Sequence, residues 1–235
     1  MKRIIIIWLS LIAFLTSAKG QEIDAQVYYT DDKGVDQATK SIDDGQAPLQ
    51  AVFRANPSKM GEWIPSFEWH FFKLNGTEGR RELFVRFEED TEYTFTESGT
   101  YNVILRTTLR NGNDTARLDS ATIVISISES KLEFPNAFSP NDDEINDKYQ
   151  AKEGYKSIVY FHAIILNRWG QKLYEWRDPA GGWDGKFNGT PVKEGVYYVR
   201  VKARGADGKE YDIRKDVNLI RGHSGTGGTT GGSHE

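Results

Sequence analysis

The chain of 235 residues contains no cysteine. That excludes disulfide staples and an N-terminal lipid anchor on Cys, so stability must come from core burial. It is short of long apolar runs: the near-continuous one, Ile4 to Leu15, is only about twelve residues and falls short of a bilayer span. Lys2 and Arg3 precede that run, and Ala18-Lys19-Gly20 closes it, the order of a secretory signal peptide over residues 1–20. Cleavage near Gly20 would leave Gln21 first. Basic clusters are scarce too. The net charge is −4, and loss of Lys2, Arg3 and Lys19 takes it to near −7. This argues against a nucleic-acid or anionic-membrane surface, which needs clustered Lys and Arg. The Arg80-Arg81 pair reads as a solvated loop doublet. Catalytic signatures are missing as well: there is no Cys nucleophile, no Gly-x-Ser-x-Gly elbow and no His-Glu-x-x-His helix. The four His, at 70, 162, 223 and 234, are scattered. Carboxylates are abundant enough for a glycosidase pair, but two small domains without a long insertion rarely enclose a deep cleft. We expect no enzymatic activity.

What the chain does have is strand grammar. Phe67, Trp69 and Phe71 alternate with Glu68, His70 and Phe72, and Tyr101, Val103 and Leu105 alternate with Asn102, Ile104 and Arg106. Residues 121–128, "ATIVISIS", close this first region with a β-branched run. Many short strands between Gly, Asn and Asp turns predict an all-β chain of two sandwich domains. About 215 exported residues suffice for two cores of that size. The break lies at "SESKLEFP", where Pro135 blocks a central strand. We place the first domain at residues 21–128, a linker and strand start at 129–134, and the second domain at 132–222. "SIVYFHAIILN", "QKLYEW", "GVYYVRVKA" and "DVNLIR" supply its strands, and Asp207-Gly208 marks a tight hairpin. Residues 223–235, Gly-rich and without an apolar side chain, are expected to be disordered.

Two clusters invite chemical readings. Asn141, Asp143, Asn146 and Asp147, with Asp142 between them, offer hard oxygen donors that Ca²⁺ would accept. The same residues form Asx turns with their own backbone, and Glu144 stands where a calcium loop would want Gly. Trp169, Trp176 and Trp183, with Tyr174 and Phe187, would suit either a sugar-stacking platform or the core of a Cys-free domain. In the turn Asn167-Arg168-Trp169-Gly170, Trp169 is expected to pack inward or over Arg168.

The motifs "FPNAFSPNDDEIND", "NRWGQKLYE", "GGWDGKFNG", "EGVYYVRV" and "VNLIRG" occur in that order across residues 132–222. Together they resemble the type B, or gliding-motility-associated, C-terminal domain of proteins exported by the type IX secretion system of Bacteroidetes. The resemblance implies an Ig-like β-sandwich that serves as the address for crossing the outer membrane, with exposure or attachment at the cell surface. It implies partners in the type IX machinery and an outer-membrane protein, with docking by strand addition as one mode. The residues it singles out are Phe134, Pro135, Asn136, Phe138, Ser139, Pro140, Asn167, Arg168, Trp169, Gly170, Trp183, Asp184, Gly185, Gly195, Tyr197, Leu219 and Arg221. Glu144 departs from the family's usual Gly, which puts its backbone-strained turn in doubt, and the tail after Gly222 is unusual for such a signal. "FEWHFF" and "TFTESGTYNVILRTTLRNG" give residues 22–128 a resemblance to PKD-like Ig-fold domains, although "KLNGTEG" replaces the usual Gly-Asp-Gly turn. Asp114-Thr115-Ala116 and Asp119-Ser120-Ala121 resemble the short O-glycosylation signal of Bacteroidetes and point to Thr115 and Ser120. The expected role is that of non-enzymatic cargo or accessory component of the secretion system. A surface-delivered carbohydrate- or calcium-binding module is the alternative.

Overall fold

The computed structural model describes residues 20–76, 79–119 and 121–221. The apolar leader, Ser120 and the Gly-rich tail lie outside the described residues. The chain is all β: strands and turns account for its regular structure, and no helix among the described residues is long and apolar enough to cross a membrane. It divides into two compact units. The first holds the described residues up to Gly45 with Gln50–Thr94 and Thr100–Ser126; the second holds Gln46–Leu49, Phe95–Gly99 and the residues from Ile127 onward.

The first unit is built from two sheets. One runs Ser41–Gly45, Ala121–Ile127, Gly99–Asn111, Ile64–Leu74, Arg80–Arg86, with Asp114–Arg117 also paired to Gly99–Asn111. The other runs Asp36–Thr39, Gln26–Thr30, Leu49–Arg54, Asp90–Phe95. Alternate side chains of a strand face opposite sides, so the aromatics of "FEWHFF" arrive in the core together. Trp69 is fully buried, opposite Leu105 in register, and its indole N–H donates to the Glu89 carbonyl at 3.2 Å. From the facing sheet, the buried Phe53 ring lies 5.9 Å from Trp69 and meets Phe71 edge-on at 5.3 Å. The strict alternation expected of this strand does not hold at Phe72, which is buried on the outer face. A bulge between Phe71 and Phe72 shifts the register there, and the Arg80 guanidinium covers the Phe72 ring at 4.3 Å.

The second unit hangs on one five-stranded sheet, in the order Ala137–Phe138, Glu210–Leu219, Gly195–Gly205, Ile158–Leu166, Lys172–Trp176. All neighbours are antiparallel except the first pair, where Ala137 and Phe138 run parallel to Asn218 and Leu219. Its inner face supplies Phe161, Ala163, Ile165, Val199, Val201, Ala203, Val217 and Leu219 to the core. Among the described residues, no second full sheet covers that face. Two short ribbons stand in for it, Tyr149–Gln150 with Gly182–Trp183 and Lys186–Phe187 with Thr190–Pro191. Tyr149 and Trp183 close the same cluster. On the outer face, the Glu175 carboxylate accepts hydrogen bonds from His162 Nε2 at 2.9 Å, from Arg177 at 3.0 Å, and from the Lys172 ammonium.

Two outcomes follow from this packing. Phe53→Ala removes the ring that joins the two sheets of the first unit and should cost about 3–5 kcal/mol, read as a lower urea midpoint. The second concerns acid. Hydrogen bonds from Lys172, then His162, hold the Glu175 carboxyl down to about 2 from an ordinary 4.5. A carboxyl lowered in the folded state adds stability that is complete above its unfolded value and is lost as pH falls toward the folded one. Glu175→Gln should therefore flatten the loss of stability between pH 4.5 and 2, measured by thermal melts across that window.

Candidate docking end of the second unit

The residues singled out in four separated motifs meet at one end of the second unit, around the indole of Trp183. Trp183 is fully buried, opposite Tyr149 in the short ribbon, and its Nε1–H donates to the Lys186 carbonyl at 2.7 Å. Its ring lies 5.4 Å from Phe138 and meets Tyr197 edge-on at 5.1 Å. Tyr149 in turn stacks on Phe134 at 5.7 Å, meets Phe138 at 5.9 Å, and donates its hydroxyl to the Pro135 carbonyl at 3.2 Å. Burial pushes the Tyr149 phenol well up, so it stays a donor. Asn136 and Phe138 present their carbonyls to the amides of Asn218 and Ile220 at 2.9 and 3.1 Å, which sets the parallel pairing beside Leu219.

Loops converge on Arg221. Its guanidinium donates to the carbonyls of Val192 and Gly185, and its amide donates to the Glu194 carboxylate. Gly185 has φ +74, and a Cβ there would meet Pro140 Cγ at 3.0 Å and Leu219 Cδ1 at 3.1 Å, so the turn accepts little but Gly. Asp184 shapes that turn by accepting the Lys186 amide at 3.1 Å. Gly195, opposite Leu219 with φ +142, opens the strand that carries Tyr197, whose hydroxyl donates to the Lys193 carbonyl at 2.7 Å. Burial raises the Tyr197 phenol, opposed by the charges of Arg221 and Arg168. Sequence reasoning missed Tyr149, Lys186, Val192 and Glu194 in this assembly. Lys186 and Glu194 lie inside "GGWDGKFNG" and "EGVYYVRV", Tyr149 ends "NDKY", and only Val192 falls outside these motifs.

The turn Asn167 to Gly170 stands apart from the core. The Asn167 carboxamide oxygen accepts the amides of Trp169 and Gln171, each at 3.0 Å, and Gly170 takes φ +79. Trp169 is 77% exposed, with the Arg168 guanidinium 4.5 Å over its ring. Of the two placements expected for Trp169, the one over Arg168 holds and the inward one does not. A three-tryptophan platform is not formed either: Trp176 and Trp183 belong to the core, and Trp169 is at the turn.

The acidic loop is inverted relative to a calcium cage. Asp147 Oδ1 accepts the amides of Asn141 and Asp142 at 2.8 and 2.9 Å, and its Oδ2 accepts the Glu144 amide at 2.8 Å. Asp143 accepts the Ile145 amide and the Asn141 side-chain amide, both at 2.8 Å. Positive φ at Asp142, Glu144 and Asn146 turns successive N–H groups inward, an amide nest that favours negative charge. Desolvation raises the Asp147 carboxyl, but the three amides outweigh it and hold it below the ordinary range. Thus the carboxylates of Asp143 and Asp147 face N–H donors, Asn141 is a donor to both, and Asn146 takes part through its backbone carbonyl. Among the described residues no group of three or more His, Asp or Glu is arranged to hold a metal ion. The Ser139 amide anchors the loop on the Asn146 carbonyl at 2.9 Å. The doubt raised by Glu144 is corrected: the left-handed turn forms without Gly, at φ +66. As for the two glycosylation candidates, Thr115 is exposed on the Asp114–Arg117 strand, and Ser120 lies outside the described residues.

Comparison with known families decides the identity of this unit, since a domain family described as "CHU_C Type IX secretion signal domain" matches residues 132–215. The second unit carries a type IX secretion signal domain. Such a domain implies engagement by the secretion machinery and export across the outer membrane. No curated protein matches the chain. Among solved structures, the chain is similar to the chicken CNTN1 FN1–FN3 domains at 11% identity and TM-score 0.25, covering 77% of this chain and 70% of that one. It is also similar to dimeric latent PorU from Porphyromonas gingivalis, at 12% identity and TM-score 0.26, over 86% of this chain and 20% of that one. A third similarity is to a tetra-tandem repeat in the extending region of a large adhesion protein, at 12% identity and TM-score 0.27, over 85% and 66%.

The signal domain's acidic loop yields a direct check. A side chain held in the left-handed region costs about 1–2 kcal/mol, against which Gly costs about 0.5–1 kcal/mol in chain entropy. Glu144→Gly should keep the amide bond to Asp147 and raise stability by about 0.5–1 kcal/mol, seen as a higher melting midpoint.

Proposed function

We propose that this protein is non-enzymatic cargo or an accessory component of the type IX secretion system, and that its second unit is read as a folded address by the machinery and an outer-membrane protein. The observation that carries the reading is the match over residues 132–215, whose motifs assemble into one end of one unit. That assembly supports recognition of a folded surface: Phe134, Phe138, Trp183 and Leu219 are buried, so an extended-peptide reader would find them hidden. A linear sorting signal would not need the Arg221 guanidinium to gather two loop carbonyls. As an accessory component the protein would serve in assembling the secretion apparatus or in signalling across the envelope. In the second unit, the five-stranded sheet ends at the Lys172–Trp176 strand, which leaves an edge for strand addition as a second contact mode.

The test is removal of residues 132–222 in a bacterium that possesses the system, followed by surface labelling of intact cells. The truncated protein should stay in the periplasm. Its appearance at the cell surface at wild-type level would defeat the assignment.

A further inference from the structure

The face of the five-stranded sheet turned away from the core is divided. An antiparallel sheet with one buried face ordinarily presents a polar outer face. Towards Gly205 it is mostly polar: Lys202 stands opposite Asp212 and Arg204 opposite Glu210, with the exposed Tyr160 opposite Arg204 on its other side. Towards Leu166 it is not. There Leu166 stands opposite Tyr198, Ile164 lies two positions back, Val196 two positions on, and Ile220 follows the neighbouring strand. Tyr198, Val196 and Ile220 are 41%, 48% and 53% exposed, and the turn that follows Leu166 carries the exposed Trp169. Contiguous exposed apolar surface marks an interaction site, and Trp, Tyr and Arg are the residues on which interface energy concentrates.

The charges around this half-face say what fits it. Arg200 stands directly opposite Arg214, a like-charge pairing that is unfavourable in a sheet. Arg214 is bound to Asp212 at 2.9 Å. Arg200 and Arg168 make no hydrogen bond or ion pair with another described residue. Glu175 is engaged by Lys172, His162 and Arg177, and the two carboxylates diagonal to Arg200 on the neighbouring strand are Asp212, already bound to Arg214, and Asp216, opposite Tyr198. Arg200 acts on Asp212 through its charge but without a hydrogen bond, and Arg168 lies over the Trp169 ring, so both guanidinium groups keep their hydrogen-bond donors for a partner.

We propose that this half-face, Leu166, Trp169, Val196 and Tyr198 framed by Arg168 and Arg200, is the docking surface for an acidic protein segment, an apolar anchor flanked by carboxylates, belonging to the export route. The proposal rests on the export role argued above and adds where and by what chemistry the folded unit is held.

The experiment uses the full chain in a bacterium with the secretion system, scored by surface labelling, with melts of each purified variant to confirm folding. Arg168→Glu with Arg200→Glu should cut surface delivery at least about tenfold, since like charge against an acidic partner costs several kcal/mol. Arg168→Lys with Arg200→Lys should retain most of it. Delivery of the double Glu variant at wild-type level overturns the proposal. If the chain lacking 132–222 is also delivered, the export role falls with it; if that chain is held back, only the surface assignment falls. Two further arms address other occupants. Salt-sensitive binding of the purified chain to phosphatidylglycerol vesicles, lost in the double Glu variant, would assign the face to a lipid surface. Concentration-dependent self-association in sedimentation, lost in the same variant, would assign it to a second copy. Either result overturns the acidic-partner assignment.

Discussion

The second unit depends on one indole placed where a sheet should have been. Only one face of its core is covered by a continuous sheet, and the opposite side is closed by ribbons of two residues per strand, which are too short to hold themselves. Trp183 solves this by burying its whole side chain against Phe138 and Tyr197 while its N–H takes a carbonyl three residues away. The ribbon, the loop after it and the first strand thereby become one layer. A smaller apolar residue would leave both a cavity and an orphaned carbonyl, and each of these is costly in a domain of about ninety residues with little core to spare.

That arrangement explains why motifs far apart in the chain belong together. "FPNAFSP" contributes the buried rings and the carbonyls that capture the last strand, "GWDG" the hub and a glycine turn that a Cβ would block, and "LIR" the guanidinium that ties the loops. "NRWG" is different. It contributes nothing to the core, and its tryptophan is held out in solvent under an arginine. With Tyr197 of "EGVYYVRV" against Trp183, four motifs build the platform, and the fifth is displayed apart from it.

The legibility of the sequence follows the same division. Period-two alternation and turn residues report local geometry, so the two all-β units, the buried aromatics of "FEWHFF" and the tight turns were readable. Phe72 was not, because a bulge and a covering arginine from a neighbouring strand decide its burial. Nor was the sense of the acidic loop. A run of Asn and Asp looks alike whether its carbonyls or its amides point inward, and only the left-handed backbone at Asp142, Glu144 and Asn146 distinguishes them. The orientation of Trp169 was open for the same reason: a turn fixes where the backbone goes and leaves the side chain to its neighbours.

One detail of the sheet order bears on timing. The Glu210–Leu219 strand, last among those described, lies inside the sheet, between Gly195–Gly205 and the short first strand. A chain emerging N-terminus first cannot seat Ala137 and Phe138 until that strand has arrived, and without it Val217 and Leu219 are missing from the core. A product cut short before Leu219 would carry most of the motif residues yet never assemble the surface they define. The surface those residues define is therefore complete only when the last described strand is in place.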